Sequence, residues 1–78
     1  MEKHLDEWVN LSYNVAWLRK KYSLSKKEMA SRLRIGVKTL NRIENGEIVP
    51  KLSAGILFEI YEQFGIAPNI ILEKHIDG

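Results

Sequence analysis

The chain has 78 residues, of which 45% are hydrophobic and 28% charged, with a formal net charge of +2 and no cysteine. This length suits a single domain with one core, the hydrophobic content excludes intrinsic disorder, and the lack of thiols excludes a disulfide scaffold and a thiolate metal site. The charges are unevenly placed: residues 19–42 carry nine bases and one acid, a balance of +8, while the rest carries −6. A basic block within one stretch of a folded domain is the footprint of a polyanion-binding face.

Five helices are expected, in an all-α fold. The first spans roughly Asp6 to Tyr22, starting anywhere between Asp6 and Ser12, because Leu11, Val15, Leu18 and Tyr22 recur at spacings of four, three and four. Trp8, Tyr13 and Trp17 lie off that stripe. Ser25-Lys26-Lys27-Glu28 has the S-x-x-E form of a capping box and opens helix 2. Met29, Ala30 and Leu33 give this helix an apolar face, and it ends near Arg34 because Gly36 supports a bend. Helix 3 runs from Val37 to Asn45 with Leu40 and Ile43 inward, and Gly46 stands where a left-handed C-terminal cap is wanted. Pro50 bars continuation. Ser53 caps helix 4, whose Ala54, Leu57, Ile60, Tyr61 and Phe64 share a face closed by Gly65. Pro68 opens helix 5, which reaches about Lys74 with Ile70, Ile71 and Leu72 as its apolar content.

Two short helices joined by a tight turn, the second rich in bases, form a helix-turn-helix candidate. The steep crossing needs a small residue, which Ala30 supplies, and apolar residues stand at Met29, Leu33, Ile35, Leu40 and Ile43. From about Val15 to Leu72 the chain resembles the Cro and lambda-type phage-repressor family, also called XRE, of five-helix DNA-binding domains. The likeness rests on Val15-x-x-Leu18-Arg19, Leu24-Ser25-x-x-Glu28-Met29-Ala30, Arg42-Ile43-Glu44-Asn45-Gly46 followed by Pro50, and Phe64-Gly65-Ile66. On this reading residues 1–78 are one domain, with a family-like core at about 15–72 and an N-terminal extension at 1–10.

The resemblance implies an ion pair between Arg19 and Glu44 that ties helix 1 to the end of helix 3. It also implies phosphate contacts from Lys26 and Asn45, and base contacts from Val37, Lys38, Asn41 and Arg42. Ser25 and Thr39 complete the candidate phosphate set, Thr39 being able to serve phosphate or base. The side-chain chemistry supports the base readers separately: lysine and arginine donate to guanine, asparagine pairs with adenine, and valine touches a thymine methyl. Lys38 and Arg42, four apart, share a helical face. The chain departs from the family pattern at three places. Arg34 stands where a left-handed glycine is usual, Gly36 where serine or threonine caps helix 3, and Glu47-Ile48-Val49 where the loop is normally basic. Ile48 and Val49 are expected either against helix 4 or on a partner.

The expectation is a cytoplasmic, sequence-specific regulator that binds double-stranded DNA as a homodimer on a near-palindromic operator. Alternatives are an antitoxin or accessory component acting with a small partner protein, and a protein-interaction module that does not bind DNA. The apolar residues from Ile66 to Ile76 exceed what one short helix can bury and are a candidate dimer surface. No membrane partner is expected, since the apolar stretches are short and Met1-Glu2-Lys3-His4 is not a basic leader. No cofactor, metal or enzymatic activity is expected. His4 and His75 read as solvated terminal residues without metal-ligand spacing, the serines form no nucleophile elbow, and the glycines follow no phosphate-loop pattern. Glu59 and Glu62 read as the wet face of helix 4.

Overall fold

A computed structural model of the chain describes the backbone of residues 2–47 and 50–76, and the side chains of residues 7–47, 51 and 54–76. The described residues form five helices and no strand: α1 (Glu2–Lys21), α2 (Lys26–Leu33), α3 (Val37–Glu44), α4 (Pro50–Phe64) and α5 (Pro68–Glu73). The places expected for Ile48, Val49 and the His4 side chain lie outside the described residues. Helix α1 packs on α3 and α5, α2 on α3 and α4, and α4 on α5. The core lies where these meet. It consists of Leu11, Val15 and Leu18 of α1, Met29, Ala30 and Leu33 of α2, Leu40 and Ile43 of α3, Ile56 and Ile60 of α4, and Ile71 of α5. Burying one such leucine or isoleucine contributes roughly 1.5–3 kcal/mol.

Several boundaries and faces differ from the sequence expectation. Helix α1 begins at Glu2, well before Asp6, because residues 2–7 hold no glycine or proline and include the good helix formers Glu2, Lys3, Leu5 and Glu7. Helix α4 begins at Pro50, so Ser53 lies one turn inside it and cannot be its cap. Proline suits a first helical position, where its missing N–H would have had no partner. The buried centre of α4 is Ile56 and Ile60, one turn apart, which leaves Tyr61 half exposed and Ala54 exposed. Tyr22 is likewise half exposed, its ring tilted against Phe64 with centroids 5.3 Å apart. Glu59 is not on the wet face. Its side chain is 13% exposed and pairs with Arg34 at 3.1 Å.

The apolar residues from Ile66 to Ile76 are largely taken up within the chain. Ile71 is fully buried, and Ile66, Leu72 and Ile76 pack against the core. Two asparagines of α1 hold the end of α5. Asn14, fully buried, donates from Nδ2 to the carbonyls of Ile71 and Lys74, both at 2.8 Å, and accepts the Ile76 N–H on Oδ1 at 3.0 Å. Asn10 donates to the Leu72 carbonyl at 2.9 Å. The Asn14 bonds satisfy carbonyls that the last turn of a helix leaves open. His75 is exposed and stacks on Tyr13, with ring centroids 3.9 Å apart.

Three helix ends share one turn geometry. After α1, α2 and α3 the chain enters the left-handed region at Ser23 (φ 54°), Arg34 (φ 59°) and Gly46 (φ 88°). In each, the next residue's N–H bonds back across the turn: Leu24 to Arg19, Ile35 to Ala30 and Glu47 to Arg42, at 2.9, 3.0 and 2.9 Å. This is the Schellman motif, in which the left-handed residue reverses the chain and its own N–H and that of the next residue satisfy the last carbonyls.

Candidate nucleic-acid interface

The site begins with the turn between α2 and α3. Ser25 caps α2 reciprocally, its hydroxyl accepting the Glu28 N–H at 3.0 Å while the Glu28 carboxylate accepts the Ser25 N–H at 2.8 Å. The bond from the Ser25 N–H foremost, and then the Ser25 side chain, hold the Glu28 carboxyl below its ordinary pKa. At the other end, Arg34 in its left-handed conformation turns the chain, and Gly36 precedes α3 with an extended backbone and no side-chain cap. Ala30, 2% exposed, is the small residue on the buried face of α2. With Leu40 and Ile43 fully buried, the periodicity of α3 turns Lys38 and Arg42 outward, where both are exposed. Val37 is 39% exposed at the start of the helix, Thr39 and Asn41 are half-buried, and Asn45 is exposed beyond the last turn.

Glu44 anchors the inner side of this face. Its carboxylate, 8% exposed, accepts Arg19 Nε at 2.8 Å and Arg19 Nη2 at 3.1 Å, and Lys26 Nζ stands 3.4 Å from the same group. The hydrogen bond to Glu44 raises the Arg19 pKa above its ordinary value, with burial opposing it. Arg19 also donates through Nη1 to the Leu24 carbonyl at 3.4 Å. A two-bond fork of this kind fixes orientation as well as charge, so the end of α3 is held to α1. Ser12 Oγ adds a bond to the Glu44 carbonyl at 3.3 Å.

The outward residues differ in their freedom. Lys26 Nζ donates to Asn41 Oδ1 at 2.6 Å, so the asparagine is held in place, and at least one lysine N–H remains for a phosphate. Arg42 Nε donates to Glu47 Oε1 at 3.1 Å, which leaves its two Nη groups without a partner among the described residues. Lys38 has no ion-pair partner among the described residues. Two of these links, Lys26 to Asn41 and Arg42 to Glu47, were missed by sequence reasoning. The second had a signal: residues on either side of a Schellman turn, five apart across Gly46, are brought together by the turn itself.

Two short helices packed on each other, joined by a turn and presenting a cationic outer face, define a helix-turn-helix domain of the DNA-binding type. A family model described as a helix-turn-helix domain matches residues 13–75, and the chain belongs to that family, which is associated with XRE-type helix-turn-helix domains. Its five-helix, all-α architecture is consistent with the lambda-repressor-like fold. No curated protein and no solved structure gives a significant match. Among the described residues no helix is long and apolar enough to cross a membrane, and no cluster of histidine and carboxylate side chains could hold a metal ion.

Proposed function

We propose that the protein is a sequence-specific transcriptional regulator that works in the cytoplasm and inserts α3 into the DNA major groove. The observation that carries this reading is the outward placement of Lys38 and Arg42, one helical turn apart, on the basic segment of residues 19–42. Arg42 and Lys38 donate to guanine O6 and N7, Asn41 contacts a neighbouring base, and Val37 lies against a thymine methyl. Lys26, Ser25, Thr39 and Asn45 take phosphates and set the register.

A homodimer follows from the reach of the recognition helix. The eight residues of α3 extend about 12 Å and so read only three or four base pairs. Two copies on a near-palindromic site, with their α3 helices one turn apart at roughly 34 Å, double that number.

Selection of bound sequences from a randomised duplex pool tests the reading. A two-fold symmetric consensus is expected, with affinity that falls steeply as salt rises, because each neutralised phosphate releases counterions. No binding to mixed duplex DNA at low salt would instead leave the fold as a protein-interaction module.

A further inference from the structure

The loop after α3 opens with an acid where phosphate contacts would call for a base, and the structure gives that acid a specific neighbour. Gly46, at φ 88°, reverses the chain so that the Glu47 N–H bonds to the Arg42 carbonyl at 2.9 Å. Side chains at these two positions of a Schellman turn ordinarily touch through apolar atoms. Here the contact is ionic, Glu47 Oε1 accepting from Arg42 Nε at 3.1 Å. The two residues are therefore joined through backbone and side chain together. Both side chains are more than half exposed, and an ion pair in that setting contributes little to stability.

Resting on the reading of α3 as the recognition helix, we propose that Glu47 is a positioning residue that sets the specificity of Arg42. A free arginine samples many rotamers and can reach phosphates and several adjacent bases. Pairing Nε with a carboxylate whose backbone is fixed by the turn biases the arginine toward one of those choices before DNA arrives. It also leaves the two Nη groups, whose parallel N–H bonds match guanine O6 and N7. The same carboxylate repels nearby phosphates, so Glu47 lowers affinity for DNA in general while sharpening the choice of one base.

The experiment selects bound sequences from a randomised duplex pool with the full chain and its Arg42→Ala, Glu47→Ala and Glu47→Gln variants, and measures each variant's affinity for mixed duplex DNA. Arg42→Ala should abolish a guanine preference at one position of each half-site. Glu47→Ala should tighten binding to mixed duplex and weaken that same preference by roughly two- to five-fold, the scale of an exposed ion pair. Glu47→Gln should also tighten binding but keep most of the preference, since its amide oxygen still accepts from Nε. If Glu47→Ala leaves the guanine preference at its original strength while Arg42→Ala abolishes it, Glu47 acts only as a charge and the proposal is overturned. If Arg42→Ala changes no preference, the assignment of Arg42 as a base reader fails and takes the role of Glu47 with it.

Discussion

The guanidinium of Arg19 and the carboxylate of Glu44 meet through two hydrogen bonds, at 2.8 and 3.1 Å, with side chains 16% and 8% exposed. Removing Arg19 leaves the sheltered Glu44 carboxylate with only the more exposed Lys26, 3.4 Å away, to offset its charge. Arg19→Met should therefore destabilise the fold by roughly 3 kcal/mol, while Arg19→Met with Glu44→Leu should recover much of that loss. Urea denaturation of the two single variants and the double variant closes the cycle. Additive effects would show that the two side chains are not coupled.

Asn14 carries the contact between α1 and the end of α5. It is fully buried and makes three hydrogen bonds, to Ile71, Lys74 and Ile76. Asn14→Leu would keep the volume but leave two carbonyls and one N–H without partners, at a cost of about 2–4 kcal/mol. Asn14→Asp should be at least as damaging, because a carboxylate cannot donate to the carbonyls. A loss under 1 kcal/mol in either variant would mean that water replaces these bonds readily.

Helices with an apolar stripe and a punctuated end were legible in the sequence. Leu11, Val15 and Leu18 stand at helical spacing, Ser25 and Glu28 mark a helix start, and Gly46 and Pro68 mark boundaries by their backbone preferences. The start of α1 was not legible, because Asp6 and Ser12 are competent caps in a stretch where helix can simply continue. The face of α4 was misread: with apolar residues at Ala54, Ile56, Leu57, Phe58, Ile60, Tyr61 and Phe64, several stripes fit the period equally. On the candidate interface, which residues lie on the outer side of α3 follows from where Leu40 and Ile43 point. The bonds that hold Asn41 and Arg42 depend on how α2 and the Gly46 turn close in space, which spacing along one helix does not encode.

Two of the turns use residues that do not favour the left-handed region. Ser23, at φ 54° and exposed, takes that conformation in the link from α1 to α2. Ser23→Gly should raise stability by about 1 kcal/mol through relief of backbone strain, partly offset by the greater freedom of glycine in the unfolded chain. At Gly36 the backbone is extended and a Cβ would meet nothing within 4 Å. Gly36→Ser should therefore cap α3 and add a few tenths of a kcal/mol. Thermal denaturation checks both, and a lower melting temperature for Ser23→Gly would contradict the strain.

The capping box gives the fold a defined acid dependence. The Glu28 carboxyl is held below its ordinary pKa, first by the bond from the Ser25 N–H and then by the Ser25 side chain. A depressed folded-state pKa means a stability contribution that is present above the unfolded value and lost as pH falls through the folded one. Glu28→Gln should therefore be less stable than the parent at neutral pH. The gap should close as the solution is acidified below the ordinary carboxylate range. Melting curves from neutral to acid pH for both chains measure this, and a gap that stays constant would exclude the linkage.

On the proposed reading of α3, Lys26 has two tasks that substitution can separate. Its ammonium donates to Asn41 Oδ1 at 2.6 Å and lies 3.4 Å from Glu44, yet the side chain is still 42% exposed. As a phosphate contact it contributes to binding on every sequence, so Lys26→Ala should weaken all complexes and reduce the salt dependence by about one counterion. As the partner of Asn41 it also restrains the side chain that the same reading assigns to a base, so this variant should broaden selection at that position. Lys27, its exposed neighbour, serves as the control: Lys27→Ala removes an equal charge without touching Asn41 and should leave the consensus unchanged. Identical consensus sequences for the two variants would confine Lys26 to the phosphate backbone.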